Sequence, residues 1–337
     1  MKFENRTPFD VRVSTDALSS EWLVMEVTAL VPWTLDGRLL AETVKLRDKV
    51  LPDRPLHHLA PDRRHIREVT LCGRATFPRA VSSAHLELSV ENEVLNAALS
   101  GTRTWMRSAT GELVPSAPQA VQAIDLGWGN ALGGTVKRGP GLIPYTNLPS
   151  PSFQESWSAN PAGVGFYGRP EEAEGKPVPG VEHPDERCTS YDSLGRSWSF
   201  GGLPLGTSHS VSHLAAGPDA TVQSSFREDP SPLTRLSCTA PPWLRFNANE
   251  PLRRVACRID GTSLFDFPVR AIPFACEVRA GARCLVKSSQ LLWLEFDLDA
   301  QRASALYFAK LLCPYVRGEQ RSVTLVMQGA PDRTVSP

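Results

Sequence analysis

The feature that most constrains the fold is the period of the apolar residues. Residues 9–14 alternate Phe9, Val11 and Val13 with polar positions, and 84–90 place Leu86, Leu88 and Val90 on one face. Residues 68–77, 94–105 and 290–297 repeat the pattern, the last with Leu292, Leu294 and Phe296. A period of two sends successive side chains to opposite faces of a strand. Pro (29) and Gly (24) break the chain at short intervals, as turns between short strands would. These patterns predict a mainly β fold: antiparallel, sandwich-like sheets with long ordered Pro/Gly-rich loops and little helix.

The 337 residues divide into three regions. Residues 1–114 read as an N-terminal antiparallel β region, with a hairpin turn at Asp36-Gly37 returning as a strand over 39–46. Residues 45–67, basic and holding Pro52, Pro55 and Pro61, read as an exposed connection. Residues 236–337 read as a C-terminal antiparallel β region, placed to share one continuous core with the first. Within it, 303–312 (ASALYFAKLL) has the Ala and Leu content of a helix, but the preceding strand and the turn around Asp299 favour a hairpin. Residues 115–235 lie between as an irregular loop region. They carry Trp128, Tyr145, Phe153, Trp157, Phe166, Tyr167, Tyr191, Trp198 and Phe200, more buriable area than a disordered linker carries, so ordered loops are expected.

Thirty-six basic residues balance thirty-six acidic ones, so no whole-molecule field steers the chain to nucleic acid or an anionic membrane, and neither is expected as a partner. No run approaches the roughly 18 apolar residues of a membrane span. The start, MKFENRTPFD, lacks an apolar signal core, so a cytoplasmic location is expected. Seven cysteines without a CxxC spacing argue against a disulfide framework and against the usual zinc spacings.

No Walker loop, GxSxG elbow or HExxH motif is present. His209 and His213 stand four apart, but GTSHSVSH is a poor helix former and reads as a polar loop. The glycine-rich 127–135 lacks the Lys-Ser/Thr pair of a phosphate loop and reads as turns around a buried Trp128. Glu295, Asp297 and Asp299 alternate as any polar strand face would. Two alternatives stay open: a hydrolase using Asp125, Glu155, Asp192, His209 and His213, and a carbohydrate-binding or structural β module with Trp198-Ser199-Phe200 as its platform.

Five stretches carry a family resemblance: Asn5-Arg6-Thr7-Pro8-Phe9; Leu126 to Thr135 (LGWGNALGGT); Asn160 to Tyr167 (NPAGVGFY); Val178 to Glu182 (VPGVE); and Cys238 to Pro242 (CTAPP). In this order they resemble the type VI secretion effector adaptors, a bacterial domain-of-unknown-function class encoded beside VgrG, PAAR and effector genes. The resemblance spans about residues 3 to 313. It implies a non-catalytic adaptor or chaperone that binds a secreted effector, or its PAAR-type module, and helps load it onto the spike. The implied partners are that effector and a PAAR-type or VgrG spike protein, with no cofactor and no small-molecule substrate. Loop aromatics on a rigid sheet suit such recognition, and Trp128, Tyr145, Phe166 and Tyr167 are the candidate contacts. The same aromatics would equally serve to pin the loops to the core.

Overall fold

The structure is a computed structural model. It describes residues 2–5, 10–17, 22–40, 66–142, 149–150, 153–157, 159–202, 240–269, 274–280, 283–314 and 321–327. Among them the fold is mainly β, with one four-residue α-helix, Pro170–Ala173.

Three sheets form the body. The largest has six strands in the order Arg245–Asn247, Ile66–Cys72, Gln290–Asp297, Arg302–Pro314, Trp22–Thr34, Asp10–Ala17. Its two 13-residue strands pair antiparallel from Trp22 opposite Pro314 to Thr34 opposite Arg302. The second sheet has the order Val181–Glu182, Glu93–Ser100, Ser83–Val90, Arg254–Ile259, Thr262–Pro268. The third has the order Lys2–Asn5, Arg321–Met327, Phe274–Ala280, Arg283–Ser288.

The core follows from strand alternation. Met25, Val27, Ala29, Val31 and Trp33 share one buried cluster with Ala303, Ala305, Tyr307, Ala309 and Leu311 of the neighbouring strand. Leu86, Leu88, Val90, Val255 and Cys257 of the five-stranded sheet complete it. Aromatics cross between the two layers. Phe296 stacks on Phe265 with centroids 4.5 Å apart and meets Phe267 edge-on at 5.2 Å, while Trp33 meets Phe267 edge-on at 6.1 Å. Cys276, Val278 and Val323 bring the four-stranded sheet against the same core.

Residues 303–312 form a strand, as the hairpin reading expected. Their alanines lie on the inner face, where small side chains leave room for aromatics from the facing layer. Leu306 and Phe308 are buried on the other face as well, the mark of a central strand. The first long strand is central in the same way. Trp22–Thr34 buries consecutive Leu30 and Val31, and its second neighbour is the distant Arg302–Pro314. Asp36-Gly37 does form the turn, with Gly37 at φ +80°; Leu39 bridges back to Trp33 and the Leu40 N–H donates to the Pro32 carbonyl, while 41–46 of the expected return strand lie outside the described residues. Residues 41–65, most of the expected basic connection, lie outside the described residues. The continuous strand expected over 68–77 is two strands divided at Gly73, whose φ of +92° turns the chain out of the six-stranded sheet. Arg74–Val81 then pairs with Val121–Asp125 in a separate ribbon.

Candidate functional site

Among the described residues the loop region is a layer of short ribbons that bridges the edges of both main sheets. Val181–Glu182 adds to Glu93–Ser100 in one sheet, and in the other the Leu71 N–H donates to the Phe200 carbonyl at 2.8 Å. Three of the stretches that carry the family resemblance meet here. Leu132–Gly133 pairs parallel with Val164–Gly165, and Ala131 bridges to Val181. Asn160, 1% exposed, clamps them: its Nδ2 donates to the carbonyls of Trp128 (2.8 Å) and Leu132 (3.1 Å). A Cβ at Gly133 would fall 1.8 Å from the Asn160 carbonyl oxygen, and one at Gly163 2.4 Å from that of Ala131. These glycines are close-approach positions between backbones, which accounts for the glycine-rich spacing without a phosphate.

Five indoles lock the layer by donating Nε1–H. Trp105 donates to the Gly165 carbonyl (3.1 Å), Trp128 to Gly201 (2.7 Å), Trp198 to Asn96 (2.8 Å) and Trp243 to Ser199 (3.1 Å). Trp157 donates to the Ser197 hydroxyl (2.9 Å), which itself donates to the Leu132 carbonyl (2.8 Å). Trp198 and Trp243 stack at 4.3 Å, and the Arg196 guanidinium lies 5.2 and 5.1 Å from their rings.

The candidate contacts separate by position. Trp128 is 2% exposed and, as folded, offers a partner no surface; it anchors the short turn Trp128–Asn130. Tyr145 lies outside the described residues. Phe166 and Tyr167 are half-buried neighbours at the outer rim. Phe166 packs against Trp157 at 5.6 Å. The Tyr167 hydroxyl donates to the Pro177 carbonyl (2.9 Å), its N–H donates to the Tyr191 hydroxyl (2.8 Å), and the Lys176 ammonium sits 4.8 Å from its ring. Burial pushes the Tyr167 phenol up, so it remains a protonated donor.

Of the hydrolase candidates, Asp125, Glu155 and Asp192 are described, and the first two have partners of their own. Asp125 accepts the Gly127 N–H in a local turn, and Glu155 pairs with Arg138, which also holds Glu172. Asp192 is exposed in the turn closed by Ser190 and Ser193. His209 and His213 lie outside the described residues. The sugar platform is corrected: Trp198 and Phe200 are both buried, facing Trp243 and the core. Among the described residues no group of three or more His, Cys, Asp or Glu is placed to hold a metal.

Sequence reasoning missed the buried ion pair beneath this layer. Glu182 pairs with Arg103 at 2.6 Å and Arg187 at 3.2 Å, and accepts the Cys188 N–H at 2.8 Å. Arg103 and Glu182 stand far apart in the chain, so no local spacing announces them. Asn160 and Trp243 lie in or beside motifs the sequence displays, but their roles appear only once those motifs touch.

A family model described as an uncharacterized protein conserved in bacteria, DUF2169, matches residues 20–259. The chain belongs to this bacterial family. The DUF2169 match takes in the described loop layer and ends after Arg254–Ile259, before six strands, three that complete the two main sheets and three of the four in the third. No curated protein and no solved structure matches the chain.

Proposed function

We propose that this DUF2169 protein is a non-catalytic adaptor. It binds a secreted effector, or the effector's PAAR-type module, in the cytoplasm and helps load it onto the VgrG-bearing spike of a type VI secretion system. The observation that carries the reading is the loop layer itself. Its backbone is immobilised by five indole donors and by Asn160, and Phe166 and Tyr167 stand half-exposed on that fixed rim. Rigid aromatics lose little conformational entropy when a partner covers them, which favours a specific protein contact. The ordered resemblance of residues 126–135, 160–167 and 178–182 to the adaptors supports the same reading, because these are the stretches that build the layer.

The test is co-expression with the protein encoded by the adjacent reading frame, followed by affinity capture and size-exclusion chromatography. The wild type is expected to carry that protein as a discrete complex. Phe166→Ala with Tyr167→Ala is expected to lose it while keeping the wild-type melting temperature to within a few degrees. A folded double variant that captures the partner as well as the wild type removes Phe166 and Tyr167 from the contact. Absence of any complex with the wild type, or turnover of glycosidase, esterase or peptidase substrates by the purified protein, would count against the adaptor reading.

A further inference from the structure

The buried ion group beneath the loop layer does not balance. Arg103 and Glu182, 6% and 1% exposed, already form a neutral pair. Arg187 brings a second guanidinium to the same carboxylate and leaves the group with one positive charge in surplus. Two of the three members are shut off from water, so the surplus is poorly screened from within. Its field emerges at the member that reaches the surface, Arg187, whose side chain is 41% exposed. The other carboxylates of residues 183–196 do not cancel it. Glu186 pairs with Arg196, and Asp185 and Asp192 make no ion pair among the described residues.

Arg187 is also fixed in place. Its Nε donates to Glu182 at 3.2 Å and its Nη2 to the Ser100 hydroxyl at 3.0 Å. Both acceptors are themselves held. Glu182 pairs in register with Ala98 and accepts the Cys188 N–H, and the Ser100 N–H donates to the Gly180 carbonyl at 2.8 Å. The guanidinium is therefore tied to a buried carboxylate on one side and to the end of the strand Glu93–Ser100 on the other. The two N–H groups of Nη1 have no partner among the described residues. The other exposed cations of the layer differ. Arg107 and Arg196 each have a carboxylate of their own, Glu174 and Glu186. Lys137, Arg169 and Lys176 have no side-chain hydrogen bond among the described residues to hold the charge at one point.

We infer that Arg187 receives a carboxylate of the bound protein, an Asp or Glu side chain, through a charge-assisted hydrogen bond from Nη1. The charge count selects the group. One surplus positive charge is balanced by the single negative charge of a carboxylate, whereas a phosphate dianion would need a second cation. A guanidinium already fixed by two hydrogen bonds loses little freedom on pairing, and anchored arginines are among the residues that dominate interface energy. The inference rests on the adaptor reading for the partner being a protein. It adds a charged contact to the Phe166–Tyr167 rim on the same layer, where Tyr191, three residues beyond Cys188, accepts the Tyr167 N–H.

The probe is the protein encoded by the adjacent reading frame, purified and titrated against the full chain at low and at raised salt. Wild-type affinity is expected to fall as salt is raised. Arg187→Gln is expected to bind at least about tenfold more weakly at low salt and to lose most of the salt dependence. It is expected to melt within a few degrees of the wild type, since Glu182 keeps Arg103 and the Cys188 N–H. Arg187→Lys keeps the charge and supplies an amine, and serves if the glutamine variant misfolds. Carbodiimide treatment of its complex is expected to join position 187 to an Asp or Glu of the partner as an amide, read by mass spectrometry. A folded Arg187→Gln that binds as tightly as the wild type would overturn the inference and leave the adaptor reading standing. Weaker binding with the wild-type salt dependence would overturn it too, since Arg187 would then only shape the surface, as would an amide joining position 187 to Glu182 alone. Absence of any complex with the wild type would remove this contact and the adaptor reading together.

Discussion

Glu182 is 1% exposed, so its charge must be met from inside the fold. Arg103, itself 6% exposed, meets it, and also donates to the Pro179 carbonyl. Removing Arg103 leaves Glu182 only the partly exposed Arg187 and the Cys188 N–H. Arg103→Met is expected to cost about 3 kcal/mol in denaturant unfolding, and Arg103→Met with Glu182→Leu less than that, because the one charge left without its partner, Arg187, reaches solvent. Glycines offer a sharper contrast. Gly133→Ala drives a methyl into the Asn160 carbonyl and is expected to cost about 2–3 kcal/mol, whereas Gly129→Ala meets nothing within 4 Å and should stay within about 0.5 kcal/mol of wild type. The cysteines differ by burial. Cys257 and Cys276 have thiols pushed up to about 12, chiefly by desolvation, while Cys284 is exposed. At pH 8 the buried pair holds roughly one thiolate in ten thousand. Peptide mapping after brief iodoacetamide treatment is expected to find Cys284 labelled and Cys257 and Cys276 untouched until the protein unfolds.

At the scale of elements, the edge strand Thr262–Pro268 is fastened to Arg254–Ile259 by a charged tie. The Arg254 guanidinium bonded to Asp266 holds that carboxyl below its ordinary value of 3.8. A depressed carboxyl contributes stability above its unfolded value and loses it as pH falls through the lower folded value. Asp266→Asn is therefore expected to lower melting slightly at neutral pH (both ends of the pair are exposed), an effect that fades as pH falls below the ordinary carboxylate value of 3.8, as read by thermal melts at decreasing pH. Element type was legible wherever alternation was clean. Ser83–Val90 and Gln290–Asp297 fall within a residue of the stretches their patterns mark. The division at Gly73 was not, since an alternating pattern continues through 68–77 and only the positive φ of Gly73 reveals that the two halves join different sheets. The candidate site was legible as a cluster of motifs with spaced aromatics. That Trp128 and Trp198 point inward and Phe166 and Tyr167 stay at the rim was not, because a loop has no period from which to read a face.

For the whole molecule, the connectivity carries a prediction about where the chain can be cut. Both main sheets interleave strands from the two ends of the sequence: Arg302–Pro314 lies between Trp22–Thr34 and Gln290–Asp297, and Arg254–Ile259 between Ser83–Val90 and Thr262–Pro268. A chain ending at Ile259, where the family match stops, would expose the inner faces of Trp22–Thr34 and Ile66–Cys72. It is expected to be insoluble or to lack cooperative unfolding by circular dichroism, despite containing the whole loop layer. Long-range pairing of this kind also predicts slow folding, since distant strands must meet before the core can close.

The amino-acid sequence by itself determined that the chain is built of strands, where most of them run, and that its middle, over the described residues, is a layer of loops bearing spaced aromatics. Side-chain period and turn chemistry are local properties and need no knowledge of neighbours. Only the tertiary structure decided which strands pair, that glycine-rich stretches dozens of residues apart clamp one another through Asn160, that Arg103 neutralises Glu182, and which aromatics reach the rim. Those outcomes depend on contacts between segments far apart in the chain, and no single stretch of sequence contains them.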